Sequence, residues 1–307
     1  VIKMDMYQKR KIRAEKKNND SQKSFPSVGI NWYPGHMAKT KRNITDIISM
    51  VDIVIEVIDA RIPFSSRIPD LAKTTRNKQN IIVFNKYDLC DQIETDKWIE
   101  KYKSEGSIIV KCNSKTSNDY KKVISEVDSL MKGVNKKRVS KGLLPKKAKC
   151  LVVGVPNVGK STLINKLAGR SITGVGNKPG VTRQMNTIKI NNQMDLVDTP
   201  GILWPKFETE IVANNLASMT IIKEEVLTIE HIAVYILEML SKYYPEILKR
   251  EFGINSYNED EIEECFETIS KYKNIPIKGE VDYERVSLVI VNAIKQEKIK
   301  GITFDRM

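Results

Sequence analysis

From residue 52 onward, short apolar runs rich in β-branched residues alternate with stretches in which apolar positions recur every three or four residues. The runs are "IVIEVID" (Ile53–Asp59), "IIVFN" (Ile81–Asn85), "SIIVKCN" (Ser107–Asn113), "CLVVG" (Cys150–Gly154), "TIKI" (Thr187–Ile190) and "MDLVD" (Met194–Asp198). The first four are near-continuous apolar strands of the kind buried on both faces. Separated by segments of helical length, they predict a parallel sheet with crossover helices. "NNQ" between the last two predicts a hairpin and one antiparallel strand. The expected fold is α/β, with a six-stranded, mostly parallel sheet.

After Pro205 the strand signal stops. "ETEIVANNLAS", "TIEHIAVYILEMLSKYY", "NEDEIEECFETISKYK" and "YERVSLVIVNAIKQEKIK" carry helical periodicity, punctuated by Pro245, Gly253, Pro276 and Gly279. A small all-α domain over 206–307 is expected, with Asn258 or Ser256 as a cap before an acidic turn. Residues 1–30 are lysine-rich, lack apolar periodicity and read as a disordered arm without the amphipathic face of a transit peptide. That leaves 31–205 for the α/β domain.

The length of 307 residues accommodates two such cores. No apolar run approaches the roughly 18 residues of a membrane span, so no membrane partner is expected. Four scattered cysteines and two histidines exclude a disulfide framework and a histidine-rich metal site, and they fit a reducing cytoplasm. The net charge of +13 is uneven: residues 206–307 hold 13 Lys/Arg against 19 Asp/Glu, and the remainder 38 against 19. The basic portion favours a polyanionic partner through phosphate contacts and counterion release. Its densest stretch, "MKGVNKKRVSKGLLPKKAK" over 131–149, has eight basic residues and no acid, and reads as a linker, a nucleic-acid contact, or both.

"GVPNVGKS" (Gly154–Ser161) fits Gly-x-x-x-x-Gly-Lys-Ser between a strand and the helical "STLINKLAG". In that context backbone N–H groups from Asn157, Val158 and Gly159 through Thr162 can curl around a β-phosphate. Lys160 can reach the β and γ oxygens, and Ser161 can hold Mg²⁺. "LVDTPG" supplies Asp198 for a water-mediated Mg²⁺ contact and Gly201 for the γ-phosphate. "NKPGVTR" offers Thr182 as a switch ligand to the metal, with Thr173 as an alternative.

"NKYDL" supplies a base loop. The Asp88 carboxylate can accept both N1–H and N2–H of guanine, which adenine cannot offer. Lys86 can lie along the base, and Asn85 can tie this loop to the phosphate loop. "CNSK" ends the next strand and offers Asn113, Ser114 and Lys115, with the Ser114 N–H toward guanine O6. These elements occur in the order base, base, phosphate, switch, switch. A circular permutation explains that order, with a base-recognition half (31–130) rejoined through the basic linker to a phosphate and switch half (150–205).

In this order, "NWYPGHMAKTKR", "VIDARIPFSSR", "NKYDL", "GVPNVGKSTLINKLAG", "PGVTR" and "DTPGILWPKFE" resemble the circularly permuted ribosome biogenesis GTPase A family from Asn31 onward. The resemblance implies a GTPase that uses GTP/GDP and Mg²⁺ in late maturation of the large (50S) ribosomal subunit. It further implies hydrolysis stimulated by the particle, a helical domain that contacts rRNA, and a chain monomeric when free. Ile202 stands where many GTPases place a water-orienting glutamine, so unassisted hydrolysis should be slow. The resemblance offers His36 of "PGHM" as the catalytic substitute, against a turn histidine as the alternative. Asn157 resembles the phosphate-loop asparagine that ligates K⁺ in potassium-activated GTPases. Asp59 and Arg61 of "DARIP" receive no chemical role beyond positioning. A GTPase acting on a tRNA-related or signalling protein partner is the competing reading, and a non-enzymatic RNA scaffold a third.

Overall fold

The computed structural model describes residues 42, 44–69, 71–76, 78–113, 118–172, 186–201, 203, 207, 209–222, 227–277 and 280–307. Its strands are β1 (Ile53–Asp59), β2 (Gln79–Asn85), β3 (Ile108–Lys111), β4 (Ala148–Val153), β5 (Asn186–Lys189) and β6 (Met194–Asp198). They form one sheet in the order β3-β2-β1-β4-β6-β5, parallel except for the β5–β6 hairpin. All six predicted strands are present. β1, at the centre, is buried along its whole length, as a strand covered on both faces requires. Its one mid-strand acid, Glu56, is matched by Arg67 Nη2 at 2.9 Å and the Ile68 N–H at 2.9 Å. β3 departs from expectation: only Val110 is fully buried, because this strand lies at the sheet edge.

Pairing places Asp59 beside Asn85 at the ends of β1 and β2, and Val152 of β4 beside Asp198 of β6. The loops after β1, β2, β4 and β6 therefore leave the sheet along one edge, the carboxyl end of the parallel strands, where open α/β sheets bind ligands. β4 pairs with β1 although β2, β3 and their helices separate them in sequence. Permutation changes the order of the strands along the chain and leaves the sheet continuous.

The covering helices are α1 (Leu71–Thr74), α2 (Gln92–Ser104), α3 (Asp119–Val139), α4 (Lys160–Ala168) and α5 (Glu210–Ser218). Asp91 caps α2 by accepting the Glu94 N–H. α3 corrects the expected linker over 131–149. Tyr120, Val123, Val127 and Met131 form a buried stripe at helical spacing, and the helix continues through the lysines to Val139. Residues 140–147 are exposed, and β4 begins at Ala148.

The described residues divide into two compact units, 42–222 with Lys300–Met307, and 227–299. The boundary thus falls after Lys223, and not after Pro205. α5 has the predicted helical pattern, but its Asn214, Asn215 and Ser218 are buried along with Val212, Ala213, Leu216 and Ala217, and it belongs to the sheet-bearing unit. Residues Lys300–Met307 return to that unit as well.

The helical unit consists of α6 (Ile229–Tyr243), α7 (Pro245–Phe252), α8 (Ile262–Tyr272) and α9 (Tyr283–Lys295). Thr228 and Asp282 cap α6 and α9 by accepting from the His231 and Arg285 N–H groups. Of the two expected caps, Asn258 serves, accepting the Asp260 N–H at 3.2 Å ahead of α8. The core draws Ile232, Ile236 and Leu240 from α6, Phe266 and Ile269 from α8, and Val286 and Ile290 from α9. Burying each such side chain stabilises by about 1.5–3 kcal/mol.

Candidate functional site

Residues 154–159 form the turn between β4 and the first residue of α4, Lys160. Two positions there require glycine. Gly159 has φ +98°, and a Cβ on it would overlap Asn85 Nδ2. A Cβ on Gly154 would collide with the Val57 carbonyl of the neighbouring strand. Asn157 also takes the left-handed conformation, at φ +60°. The loop is thereby held against the ends of β1 and β2, with the first-turn N–H groups of α4, Ser161 and Thr162 among them, at a helix N-terminus.

Lys160 is buried, and its Nζ donates to the Gly154 and Val155 carbonyls at 2.9 Å each. Burial lowers its pKa to about 8, against the opposing pull of Asp198. Asp198 ends β6 fully buried, with no well-formed hydrogen bond on either carboxylate oxygen. Burial pushes its pKa up to about 6, against the weaker pull of Lys160 and of the adjoining Thr199 backbone. Two unsatisfied anionic oxygens beside a buried lysine are a costly arrangement that a hard cation offsets. No cluster of three His, Cys, Asp or Glu able to hold a metal occurs among the described residues. A cation at Asp198 would need the Ser161 hydroxyl, phosphate oxygens and water to complete its shell, and that donor set fits Mg²⁺.

Gly201, three residues beyond Asp198, lies flat on the phosphate loop. A Cβ there would stand 2.9 Å from the Pro156 backbone nitrogen. Thr199 fixes the intervening turn by donating its hydroxyl to the Val152 carbonyl at 2.8 Å.

At the base end, β2 runs into "NKYDL". Asn85 Nδ2 donates to the Val158 carbonyl at 2.7 Å, tying the base loop to the phosphate loop as expected. Lys86, at φ +58°, directs Nζ to the Asn157 carbonyl at 3.2 Å and to Asp59 Oδ2 at 2.9 Å. The Leu89 N–H closes the turn onto the Lys86 carbonyl. Asp88 is half-buried, and its Oδ1 has no hydrogen-bond partner. A carboxylate oxygen in that condition suits the paired donors of guanine. The Tyr87 N–H donates to the Cys112 carbonyl, and the Asn113 N–H to Asp119 Oδ2 at 3.2 Å, so the end of β3 is fastened to the base loop.

His36, Ser114, Lys115, Thr173, Thr182 and Ile202 lie outside the described residues.

Three features escaped sequence reasoning. Asp59, fully buried, accepts from Arg61 Nε at 2.9 Å and Nη2 at 2.8 Å and from Lys86 Nζ, a triad that holds the base-loop lysine in place. Burial opposes ionisation of Asp59, but Arg61 and Lys86 hold its carboxyl well below the usual carboxylate range. The "DAR" spacing was the available signal, since an acid at a strand end with an arginine two residues on can fold back upon itself. Asn157 donates its side-chain amide to the Thr220 carbonyl at 2.7 Å. The segment Lys300–Met307 packs behind the base loop, and nothing in its own sequence indicates this.

Comparisons with known proteins agree with this geometry. Residues 36–208 match the family model described as RsgA GTPase, and residues 149–276 that described as 50S ribosome-binding GTPase. The "Ribosome biogenesis GTPase A" of Bacillus cereus is 40% identical over 277 residues, covering 90% of this chain and 93% of that protein. The protein of the same name from Thermotoga maritima is 33% identical over 278 residues, covering 90% and 94%. Among solved structures, GNP-bound YlqF from T. maritima superposes with a TM-score of 0.61 at 27% identity, covering 87% of this chain and 98% of that one.

Proposed function

This chain belongs to the ribosome biogenesis GTPase A family, and from that membership and the site we propose that it is a GTP-hydrolysing assembly factor acting in late maturation of the large ribosomal subunit. In this reading the GTP state binds rRNA on the immature particle, and hydrolysis releases the protein. One observation carries the assignment. A base loop with an unpartnered carboxylate oxygen on Asp88 and a phosphate loop with the buried Lys160 and Asp198 are joined directly by the Asn85–Val158 hydrogen bond. The spacing between guanine recognition and phosphate chemistry is thereby fixed by the fold.

Asp88 and Lys86 select and cover guanine, with Ser114 and Lys115 completing the base pocket. The N–H groups of residues 157–162 and the Lys160 ammonium bind the phosphates. Ser161, Thr182 and, through water, Asp198 would hold Mg²⁺, which when bound would neutralise charge on the phosphate oxygens. Gly201, seated on Pro156, is the residue that senses the γ-phosphate. With Ile202 after "DTPG" in place of a water-orienting glutamine, hydrolysis is slow alone and stimulated by the particle, with His36 as the proposed water-positioning group. The Asn157 Nδ2 is committed to Thr220, which leaves Oδ1 as the atom for K⁺. Exposed basic residues along α3 and 140–147, among them Lys136, Lys137 and Lys141, supply phosphate contacts for RNA. The working location is the cytoplasm, and the free protein is a monomer.

Sedimentation through a sucrose gradient tests the reading. The chain should migrate with large subunits in the presence of a non-hydrolysable GTP analogue and remain at the top with GDP. Equal migration in both states, or none in either, rejects it. Retention of full particle-stimulated turnover in His36→Ala would remove that residue from the mechanism, and equal rates in NaCl and KCl would remove K⁺.

A further inference from the structure

The segment Lys300–Met307 follows the helical unit in sequence but is part of the sheet-bearing unit, where it contacts both supports of the base loop. The Leu89 carbonyl, one residue beyond Asp88, accepts the Gly301 N–H at 2.8 Å and the Ile302 N–H at 3.3 Å. The Arg61 carbonyl accepts the Phe304 N–H at 2.8 Å, and the Arg61 side chain holds Asp59, which holds Lys86. Thr303 Oγ1 lies 2.8 Å from Thr95 Oγ1 and accepts the Asp91 N–H at 3.1 Å, fixing the start of α2 directly after the loop.

The anchor of this segment is Asp305. It is 5% exposed, and both carboxylate oxygens are engaged. Oδ2 accepts the Phe64 and Ser65 N–H groups at 2.7 Å each, and Oδ1 accepts Ser65 Oγ at 2.6 Å and Asn215 Nδ2 at 2.7 Å. Asn215 lies fully buried on α5, and the Thr220 carbonyl just beyond that helix receives the Asn157 amide of the phosphate loop. One carboxylate thus joins the loop after β1, the helix that follows the "DTPG" turn and the strap behind the guanine loop. Four donors on a buried carboxylate form a rigid junction, because loss of any one leaves a desolvated polar group unpaired.

We propose that Asp305 is a positioning residue for guanine recognition: through Lys300–Met307 it fixes Leu89 and Arg61, and with them the geometry in which Asp88 and Lys86 meet the base. This rests on the guanine-nucleotide reading of the site. The four donors on Asp305 include neither Lys160 nor any group of the phosphate loop, which the junction reaches only at second hand through α5 and Thr220, so the junction acts more on base selection than on phosphate affinity.

The test compares GDP with inosine diphosphate, which lacks the 2-amino donor, in competition binding to the full chain. Wild type should prefer GDP. In Asp305→Ala the GDP preference should fall about tenfold, and in the milder Asn215→Ala several-fold, because GDP loses the contacts of both N1–H and the 2-amino group whereas inosine diphosphate, which keeps N1–H, loses less. A purely structural role would weaken both nucleotides equally and leave the ratio unchanged, and an unchanged ratio in a folded variant overturns the proposal. If Asp305→Ala does not fold by far-ultraviolet circular dichroism, Asn215→Ala decides. Failure of wild type to bind either nucleotide would instead reject the guanine-nucleotide reading itself.

Discussion

At the guanine end of the site, Asp59 is buried with Arg61 and Lys86 on its carboxylate; at the phosphate end, Asp198 is buried as deeply with no well-formed hydrogen bond on either oxygen. The two aspartates end strands of the same sheet, and their charges face opposite conditions. Arg61 and Lys86 hold the Asp59 carboxyl far below its ordinary range, whereas burial lifts that of Asp198 to about 6. At the guanine end the protein itself completes the Asp59 support of the base loop, so the loop's geometry exists before any ligand arrives, with Asp88 Oδ1 left open. The phosphate end carries a poorly compensated charge that a cation and a triphosphate offset. A recognition loop benefits from preorganisation, and a switch must remain responsive to what occupies it.

The largest expected effect on stability comes from breaking the completed end. Asp59→Ala leaves two cations without their buried counter-charge and should lower the unfolding free energy of the full chain by about 3–5 kcal/mol in urea denaturation. A loss below about 1 kcal/mol would mean that the triad does not hold the base loop.

Next in size is Asp88→Asn, which exchanges one of the two acceptors facing guanine for a donor. GDP affinity should fall on the order of a hundredfold in titration calorimetry, and xanthosine diphosphate, whose O2 accepts what the new side-chain amide donates, should bind better than to wild type. Unchanged GDP affinity would place the base elsewhere.

Asp198→Asn should act with the opposite sign to Asp59→Ala. Removal of a poorly compensated buried charge should stabilise the nucleotide-free chain by about 1–3 kcal/mol while abolishing Mg²⁺-dependent strengthening of GTP binding. Destabilisation by this variant would end the contrast between the two ends.

The smallest effect is in pH. Asp198, with its pKa raised to about 6, binds its proton more tightly when folded, so its contribution to stability falls as pH rises from the ordinary carboxylate range to about 6. Lys160, lowered to about 8, gives up its proton more readily when folded, so stability recovers as pH rises from 8 toward its ordinary value of 10.5. Thermal melting of the nucleotide-free chain should therefore show a shallow minimum between about pH 6 and 8, on the order of 1–2 kcal/mol deep, that Asp198→Asn makes shallower.

The sheet and the phosphate loop were legible in the residues because their signals are local. A buried strand must be apolar throughout, and a loop that curls around phosphate needs glycine where a Cβ would strike Val57 or Asn85. The Asn85 tie to the phosphate loop was legible for the same reason, since it is made by one side chain at a strand end. The extent of α3 was misjudged because the run of lysines hid the stripe that ends at Met131. The boundary after Lys223 was missed because helical periodicity reports that α5 has a buried face without reporting whose core buries it.

The residues alone were enough to read the six strands and, through the order of the motifs, the permutation, and to propose which side chains meet guanine, phosphate and Mg²⁺. The strands and motifs follow from residue spacing within a few turns of backbone, and the permutation from their order along the chain. Only the tertiary structure decided that Asp59 is the counter-charge of Lys86, that Asp198 lacks a well-formed hydrogen bond, and that Asp305 reaches Ser65 across 240 positions of sequence. The cost of a buried charge is set by the groups that surround it after folding, and loops and helices distant along the chain supply many of those groups.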